Sequence, residues 1–353
     1  MAMAERTDVL LYGAYGYTGR LITEEAVQAG IRPILAGRNS ARVEAVAREF
    51  DLPWIAFEIT DGHAIREALS RVQVAINCAG PFRHTFTPFI DACIETGVHY
   101  LDVTGEIDVF HRAAARHADL INAGIMAMPG VGFDIVPSDY LASYAKTRLP
   151  CAQKMVMAVG KVDAVSRGTA TTVLDQLGRP GLARVDGRIV EVSTAWHQRK
   201  IDFGNGPELC VTAPLADVFS AHYTTGIPSI ECYVALPCPV SAWALKVFHP
   251  VLKPTWLQAF LRRRLARMKQ PGPDSEQRAA GRSVIYVEAE STDGHRMSAV
   301  MRGPEPYTMT ASVAVAAIKG VLAGRAKPGF QTPTPVFGID LISACDIEIE
   351  DLE

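Results

Sequence analysis

Three glycines at three-residue spacing, Gly13, Gly16 and Gly19, lie in residues 8–20, which read DVLLYGAYGYTGR. Val9, Leu10, Leu11 and Tyr12 precede them, and an amphipathic stretch with Leu21, Ile22, Ala26 and Val27 follows at once. The order is strand, tight turn, helix. Such a turn leaves backbone N–H groups and a helix N-terminus facing an anion, and the pyrophosphate of a dinucleotide fits there. Gly13 is expected to permit the turn, Gly16 to let the backbone approach the phosphates, and Gly19 to let helix pack on strand. Tyr15, Tyr17 and Thr18 fill the same loop and join the expected cofactor cradle. A merely structural Gly-rich turn would carry the same glycines; their place after a strand and before a helix favours the dinucleotide fingerprint.

The next strand specifies the dinucleotide. Ile34, Leu35 and Ala36 run into Gly37-Arg38-Asn39-Ser40. An NAD site commonly places Asp or Glu here, about 20 residues beyond the glycines, to accept from the ribose 2′-OH. A guanidinium cannot accept a hydrogen bond, but it pairs bidentately with a 2′-phosphate. With Asn39 and Ser40 adding small polar groups, Arg38 points to NADP(H). The bland alternative is that Arg38 is a solvated surface charge.

Further candidates sit where later strands end. Asn77-Cys78-Ala79-Gly80-Pro81 closes the fourth strand, and Cys78, Ala79, Gly80 and Pro81 are expected under the nicotinamide ribose; a plain Gly-Pro turn is the alternative. His84 follows, and an imidazole, the side chain whose ordinary range lies near neutrality, suits proton donation. Tyr100-Leu101-Asp102-Val103-Thr104-Gly105-Glu106 brings two carboxylates and a hydroxyl to the same side. Gly105 and Glu106 are read as cofactor contacts, while Thr104 and Glu106 read equally well as a helix start. GVGFDIVPSD places Phe133 and Asp134 at a junction, Phe133 to shield the hydride path and Asp134 to hold a substrate amine or act with the catalytic groups. Ser138 and Asp139 are alternatively helix caps. Arg167 and Thr169, opening a helix, suit an anionic or carbonyl substrate group. Several chemistries find no support. No Tyr is followed by Lys four residues on, and HExxH, C-x-x-C, GxSxG and a P-loop lysine are absent. No metal site is read.

The elements that position these residues alternate up to about residue 128. Strands VLLYG, PILAG, WIAFEI, QVAINCAG, VHYLDV and AGIMAMPG are separated by helices predicted at 18–29, 40–49, 61–70, 86–96 and 106–118. That order specifies a doubly wound parallel sheet, the Rossmann-type α/β class, binding ligands at its strands' carboxyl ends. Beyond Pro129 a helix at 137–148 leads to strands at 153–162, 188–194, 208–213, 230–236, 283–290 and 295–302, read as a second α+β domain with a largely antiparallel sheet. An apolar helix at 310–323 is expected to return to the first domain, and the acidic tail DIEIEDLE reads as solvated. The expected division is 1–130 for the NADP-binding domain, 131–308 for a substrate and dimerisation domain, and 309–353 for the returning helix and tail.

Composition narrows the partners. The 353 residues are 48% hydrophobic and 21% charged, which supports large cores and excludes wholesale disorder. A net charge of −3 gives no general drive toward nucleic acid. Seven cysteines without paired spacing favour reduced thiols, hence a cytoplasmic setting, and no apolar run is long enough for a transmembrane span. Residues 240–269 mix aromatics with Arg262, Arg263, Arg264, Arg267 and Lys269. This segment reads as a solvated basic face, as a surface for an acidic acyl carrier protein, or as peripheral membrane contact.

Taken together, LLYGAYGYTG, LAGRN, NCAGPF, YLDVTGE, PGVGFDIVPSD, GTATT, RGPEPYTMTA and GFQTPTPVFG occur in an order that resembles saccharopine dehydrogenase-like oxidoreductases, nearest the bacterial trans-acting enoyl reductases. The resemblance implies an NADP-binding Rossmann domain, a second α/β domain, hydride transfer from the nicotinamide and a homodimer. Gly13, Gly16, Thr18, Gly19, Arg38 and Gly80 match its cofactor motifs, while Arg167 stands where a small residue is usual. The function expected is NADPH-dependent reduction of an activated C=C bond in a small-molecule or carrier-bound acyl or polyketide-type intermediate, with His84 or Tyr17 as proton donor. The alternatives are C=N reduction or amine oxidation, with Asp134 or Glu106 on the substrate ammonium, and a non-catalytic NADPH-binding protein.

Overall fold

The computed structural model describes residues 8–162, 165–177, 180–236 and 272–352, with isolated positions between 257 and 264. The chain divides into two compact units. The first joins the chain up to Val136 to Tyr307–Cys345, and the second holds Pro137–Pro306 with the last eight residues from Asp346.

The first unit is built on a seven-stranded sheet. Its strands are β1 (Val9–Tyr12), β2 (Ile34–Gly37), β3 (Trp54–Ala56), β4 (Val74–Asn77), β5 (His99–Asp102), β6 (Met126–Met128) and β15 (Gly329–Phe330). They lie in the order β15-β6-β5-β4-β1-β2-β3, and every pair is parallel. β1, β4 and β6 are buried along their whole length, as strands covered on both faces must be. The order reverses between β1 and β4, which opens a crevice beyond their carboxyl ends. Helices α1 (Tyr17–Gln28), α2 (Ser40–Phe50), α3 (Gly62–Leu69), α4 (Phe82–Thr96), α5 (Ile107–Ala115) and α6 (His117–Asn122) connect the strands. The single helix expected over 106–118 is two, broken at Arg116, whose guanidinium pairs with Asp91 and Asp119. α4 begins earlier than its sequence pattern suggests, so His84 is helical rather than in a loop.

The second unit contains α7 (Val136–Arg148, from Pro137 on), α8 (Arg167–Leu177), α9 (Asp217–Thr225) and α10 (Ser275–Ala280). Its strands are β7 (Ala152–Val159), β8 (Gly181–Val185), β9 (Arg188–Val192), β10 (Gln198–Asp202), β11 (Pro207–Thr212), β12 (Ser229–Ala235), β13 (Arg282–Ser291), β14 (Arg296–Pro304) and β16 (Glu348–Leu352). They form a nine-stranded mixed sheet, antiparallel except where β7 and β12 run parallel over six residue pairs. The sheet curls until its edge strand β10 overlies β13. Phe203, just past β10, sets its ring 6.3 Å from that of Tyr286, and Arg199 pairs with Glu288. Ala158, Cys210, Tyr233 and Val300 fill the concave face between them.

The acidic tail is not a solvated appendage. Residues 348–352 form β16, antiparallel to β14, with Ile349 opposite Met301 and Leu352 packed against the concave cluster. Ile347 and Ile349 alternate with Glu348 and Glu350 at the two-residue period of a strand, and the next apolar residue, Leu352, falls on the other face. Asp351 takes a 2.9 Å hydrogen bond from the Tyr144 hydroxyl and pairs with Arg148 at 3.0 Å. The segment 240–269, with Arg262, Arg267 and Lys269, lies largely outside the described residues. The helix α11 (Pro306–Leu322) and the short α12 (Pro333–Phe337) complete the first unit, α11 from Tyr307 onward. A chain ending at Cys345 should lose the β14 edge pairing and melt several degrees earlier, a cost of about 1–3 kcal/mol for removing a packed element; thermal denaturation of the truncated and full chains checks this.

Candidate functional site

The glycine turn has the conformation its spacing requires. Gly13 sits at φ +89°, and a Cβ on Gly19 would stand 2.3 Å from the Gly13 carbonyl oxygen, so only glycine lets α1 start this close to β1. The turn is braced from both sides. Gly13 and Ala14 amides donate to the Ala36 carbonyl at 2.8 and 3.2 Å, and the Cys78 amide donates to the Tyr12 carbonyl at 2.8 Å. At the start of α1, Gly16 supplies no side-chain cap, and no acidic residue occupies the first turn. A helix N-terminus left in that state is suited to an anion, so the residues present fit a pyrophosphate. Tyr15, Tyr17 and Thr18 are half-buried around it.

At the β2 end, Arg38 is exposed and Asn39 is engaged. The Asn39 side chain accepts from the Arg42 amide at 3.0 Å, capping α2, and Ser40 is the first helical residue. Arg42 was not singled out in the sequence. Its guanidinium lies 4.3 Å over the Tyr15 ring, and that ring in turn covers Gly37, where a Cβ would stand 2.8 Å from Tyr15 Cε1. The signal that could have found it is a basic residue in the first turn of a helix, where the dipole disfavours one.

The polar residues of the next three strand ends mostly serve the backbone. Asp102 has no exposed surface. Its Oδ1 accepts from the amides of Thr104 at 3.0 Å and Gly130 at 2.9 Å, and its Oδ2 accepts from the Tyr100 hydroxyl at 2.8 Å. Asn77 accepts from the Ala79 amide at 3.0 Å and donates to Thr85 and Tyr100, while Thr85 donates to the Ala79 carbonyl at 2.9 Å. This fixes the turn carrying Cys78, Ala79, Gly80 and Pro81. Glu106, read from the sequence as a cofactor contact or as part of a helix start, serves the backbone: its Oε1 and Oε2 accept from the amides of Phe82 at 2.8 Å and Arg83 at 2.9 Å, at the N-terminus of α4. The Thr104 hydroxyl accepts from the Glu106 amide at 3.0 Å and holds it there.

Three candidate proton-handling groups remain. His84 is exposed in the first turn of α4. Tyr17 is half-buried and meets the buried Tyr307 edge-on, ring centroids 5.0 Å apart. Asp134 has an open surface, and its Oδ2 bounds Gly105, where a Cβ would stand 2.7 Å away. Crowding by protein atoms pushes its carboxyl up, to about 6, and its exposure to water offsets part of that push. Phe133 is buried, and its amide donates to the Thr310 hydroxyl at 3.0 Å, a contact from α11 that no local pattern announces. Arg167 and Thr169 belong to the second unit. There the Ser166 hydroxyl already accepts from the Thr169 amide at 3.1 Å, closing part of the α8 N-terminus.

The buried Asp102 titrates in an accessible range. Loss of solvation raises its pKa from 3.8 to about 7, against the hydrogen bonds from Thr104, Gly130 and Tyr100 that favour the carboxylate. Between about pH 4 and pH 7 the unfolded chain has released this proton while the folded chain keeps it, so stability falls as pH rises through the window. Asp102→Asn should flatten that slope; denaturant unfolding at several pH values from 4 to 8 measures it, and an unchanged slope would assign the titration elsewhere.

The sequence model described as the saccharopine dehydrogenase NADP binding domain matches residues 9–128. Trans-acting enoyl reductases of Mycobacterium tuberculosis and Mycobacterium ulcerans are 33% and 31% identical over 154 residues. Each match covers 39% of this chain and 35% of the relative, so it spans about a third of the relatives' length. Among solved structures, apo saccharopine dehydrogenase (L-Glu forming) from Saccharomyces cerevisiae shares the fold with a TM-score of 0.66 at 14% identity, over 98% of this chain and 100% of that one. Residues 9–128 are therefore similar in sequence to the NADP-binding domain of saccharopine dehydrogenases, and the chain shares the fold of the yeast enzyme.

Proposed function

We propose that the chain is an NADPH-dependent reductase that adds hydride to an activated C=C bond of an acyl or polyketide-type substrate. The observation that carries the reading is the commitment of the buried carboxylates. Asp102 is fully buried with three donors, and Glu106 is buried with a backbone amide on each oxygen, so both are less suited to anchor a substrate ammonium than an open carboxylate is. A C=C substrate needs no such anchor, whereas an amino-acid imine does. The likeness to trans-acting enoyl reductases over 154 residues points the same way. Imine reduction is the competing reading because Asp134 keeps an open carboxylate.

The glycine turn would hold the dinucleotide by its pyrophosphate, and a reduced nicotinamide so bound would supply the hydride for the substrate β-carbon. The electron pair of the double bond moves to the α-carbon side as an enolate, which then takes a proton. Tyr17 and His84 are the groups of this unit suited to give it, Tyr17 held by its edge contact with Tyr307 and His84 set by the first turn of α4. Asn77, Thr85 and Glu106 do not meet substrate in this scheme; they fix the turn at residues 78–81 on which the nicotinamide side of the site would rest.

NADPH oxidation with α,β-unsaturated acyl thioesters and with cyclic imines, run in parallel, tests the reading. Thioester-dependent oxidation is the expected result. Oxidation with imines alone would overturn it in favour of the competing reading, and tight NADPH binding without turnover of either would favour a non-catalytic role. Replacing the true proton donor, by Tyr17→Phe or His84→Ala, should lower kcat by about 10²-fold or more and leave NADPH affinity within a few-fold.

A further inference from the structure

The β2–α2 turn carries more positive charge, and a tighter geometry, than its role as a connection needs. Arg38 is exposed there, and a second cation, Arg42, follows it in the first turn of α2. That position is electrostatically unfavourable for a basic residue, since the helix N-terminus is itself positive. No acidic residue in the first turn offsets it. Glu44, the next acid on the helix, is engaged with Arg48 at 2.7 Å. No ion pair links Arg42 to any other described residue.

Arg42 is nonetheless held in place. Its guanidinium lies over the Tyr15 ring at 4.3 Å, and Tyr15 is pinned from below by Gly37. A stacked guanidinium uses its face for the ring and keeps its N–H edge for a planar acceptor. The pair also bridges two parts of the crevice, for Tyr15 belongs to the pyrophosphate turn and Arg42 to the turn after β2. A guanidinium held on an aromatic ring at the start of α2, four residues after the exposed Arg38, suits an anion with several oxygens, presented one nucleoside away from the pyrophosphate.

We propose that Arg42, held by Tyr15, reads the 2′-phosphate of NADP(H) together with Arg38, so that the choice of NADP(H) over NAD(H) rests on the stacked Tyr15–Arg42 pair as well as on Arg38. The proposal rests on the NADP(H) reading of the site and refines it. Asn39, capping α2, orients Arg42 through its amide and has its side-chain acceptor already in use.

Fluorescence titration of the full chain with NADPH and with NADH tests this. Arg42→Ala should weaken NADPH binding by about tenfold or more, the range of a charge-assisted phosphate contact, and leave NADH within about twofold. Arg42→Lys keeps the charge without the flat stack and should fall between Ala and wild type. Tyr15→Leu should erode the NADPH preference in the same direction, and combining it with Arg42→Ala should add little, because the two act as one unit. Retained NADH binding shows that each variant is folded. An equal loss for both cofactors in Arg42→Ala, or no loss for either, overturns the proposal. A wild-type chain with no NADPH preference overturns the NADP(H) reading itself, whereas a preference abolished by Arg38→Ala and untouched by Arg42→Ala leaves that reading standing and removes only Arg42.

Discussion

A carboxylate with no exposed surface, Asp102, ties together the ends of β5 and β6, and the nucleotide edge of the first unit depends on it. Its two oxygens take three donors: the Thr104 and Gly130 amides and the Tyr100 hydroxyl. Through Tyr100 the same network reaches Asn77 and the turn after β4. Burying a carboxylate is costly unless its lone pairs are matched, and here matching them fixes three loops at once. The consequence for the site is a division of labour. Polar side chains hold backbone in place, and the groups left to face a ligand are backbone amides, glycines and a few residues at the rim.

Two helix N-termini illustrate that division. The amides of α4 are filled from within by Glu106, while those of α1 begin at a glycine that caps nothing. Both helices follow a strand of the same parallel sheet, and both would attract an anion. The chain provides its own for one and leaves the other for the pyrophosphate. The edge of the sheet thus discriminates by position as well as by charge.

How much of this could be read from the residues follows from sequence distance. The cofactor turn was legible because its determinants, Gly13, Gly16 and Gly19, lie within one strand–turn–helix unit whose spacing is itself the signal. The parallel sheet was legible because hydrophobic runs and helical periods alternate locally. The roles of Glu106 and Asp102 were not, since their partners lie at Phe82, Arg83 and Gly130, more than twenty residues away. Thr310 meets the Phe133 amide from 177 residues away, beyond the reach of any pattern. The tail misled for a different reason: its acidic charge masked an apolar alternation that only a neighbouring strand makes meaningful. Arg42 went unremarked because nothing in its spacing distinguishes it from Arg48 on the same helix; its ring partner, Tyr15, lies 27 residues away.

The seventh strand of the parallel sheet comes from Gly329 and Phe330, which pair with Met126 and Ala127 while Phe330 sets its ring against Phe110. The second unit is therefore an insertion between β6 and its neighbour. On a ribosome, β6 emerges as the sheet's border and stays uncovered until some two hundred further residues are made, about 10–40 s at ordinary elongation rates. An unpaired strand border exposed that long is a hazard for pairing with other chains. The brevity of β6, three residues, limits the template it offers meanwhile. The nucleotide unit, begun before the second unit, is thus completed only after the bulk of that second unit has been made.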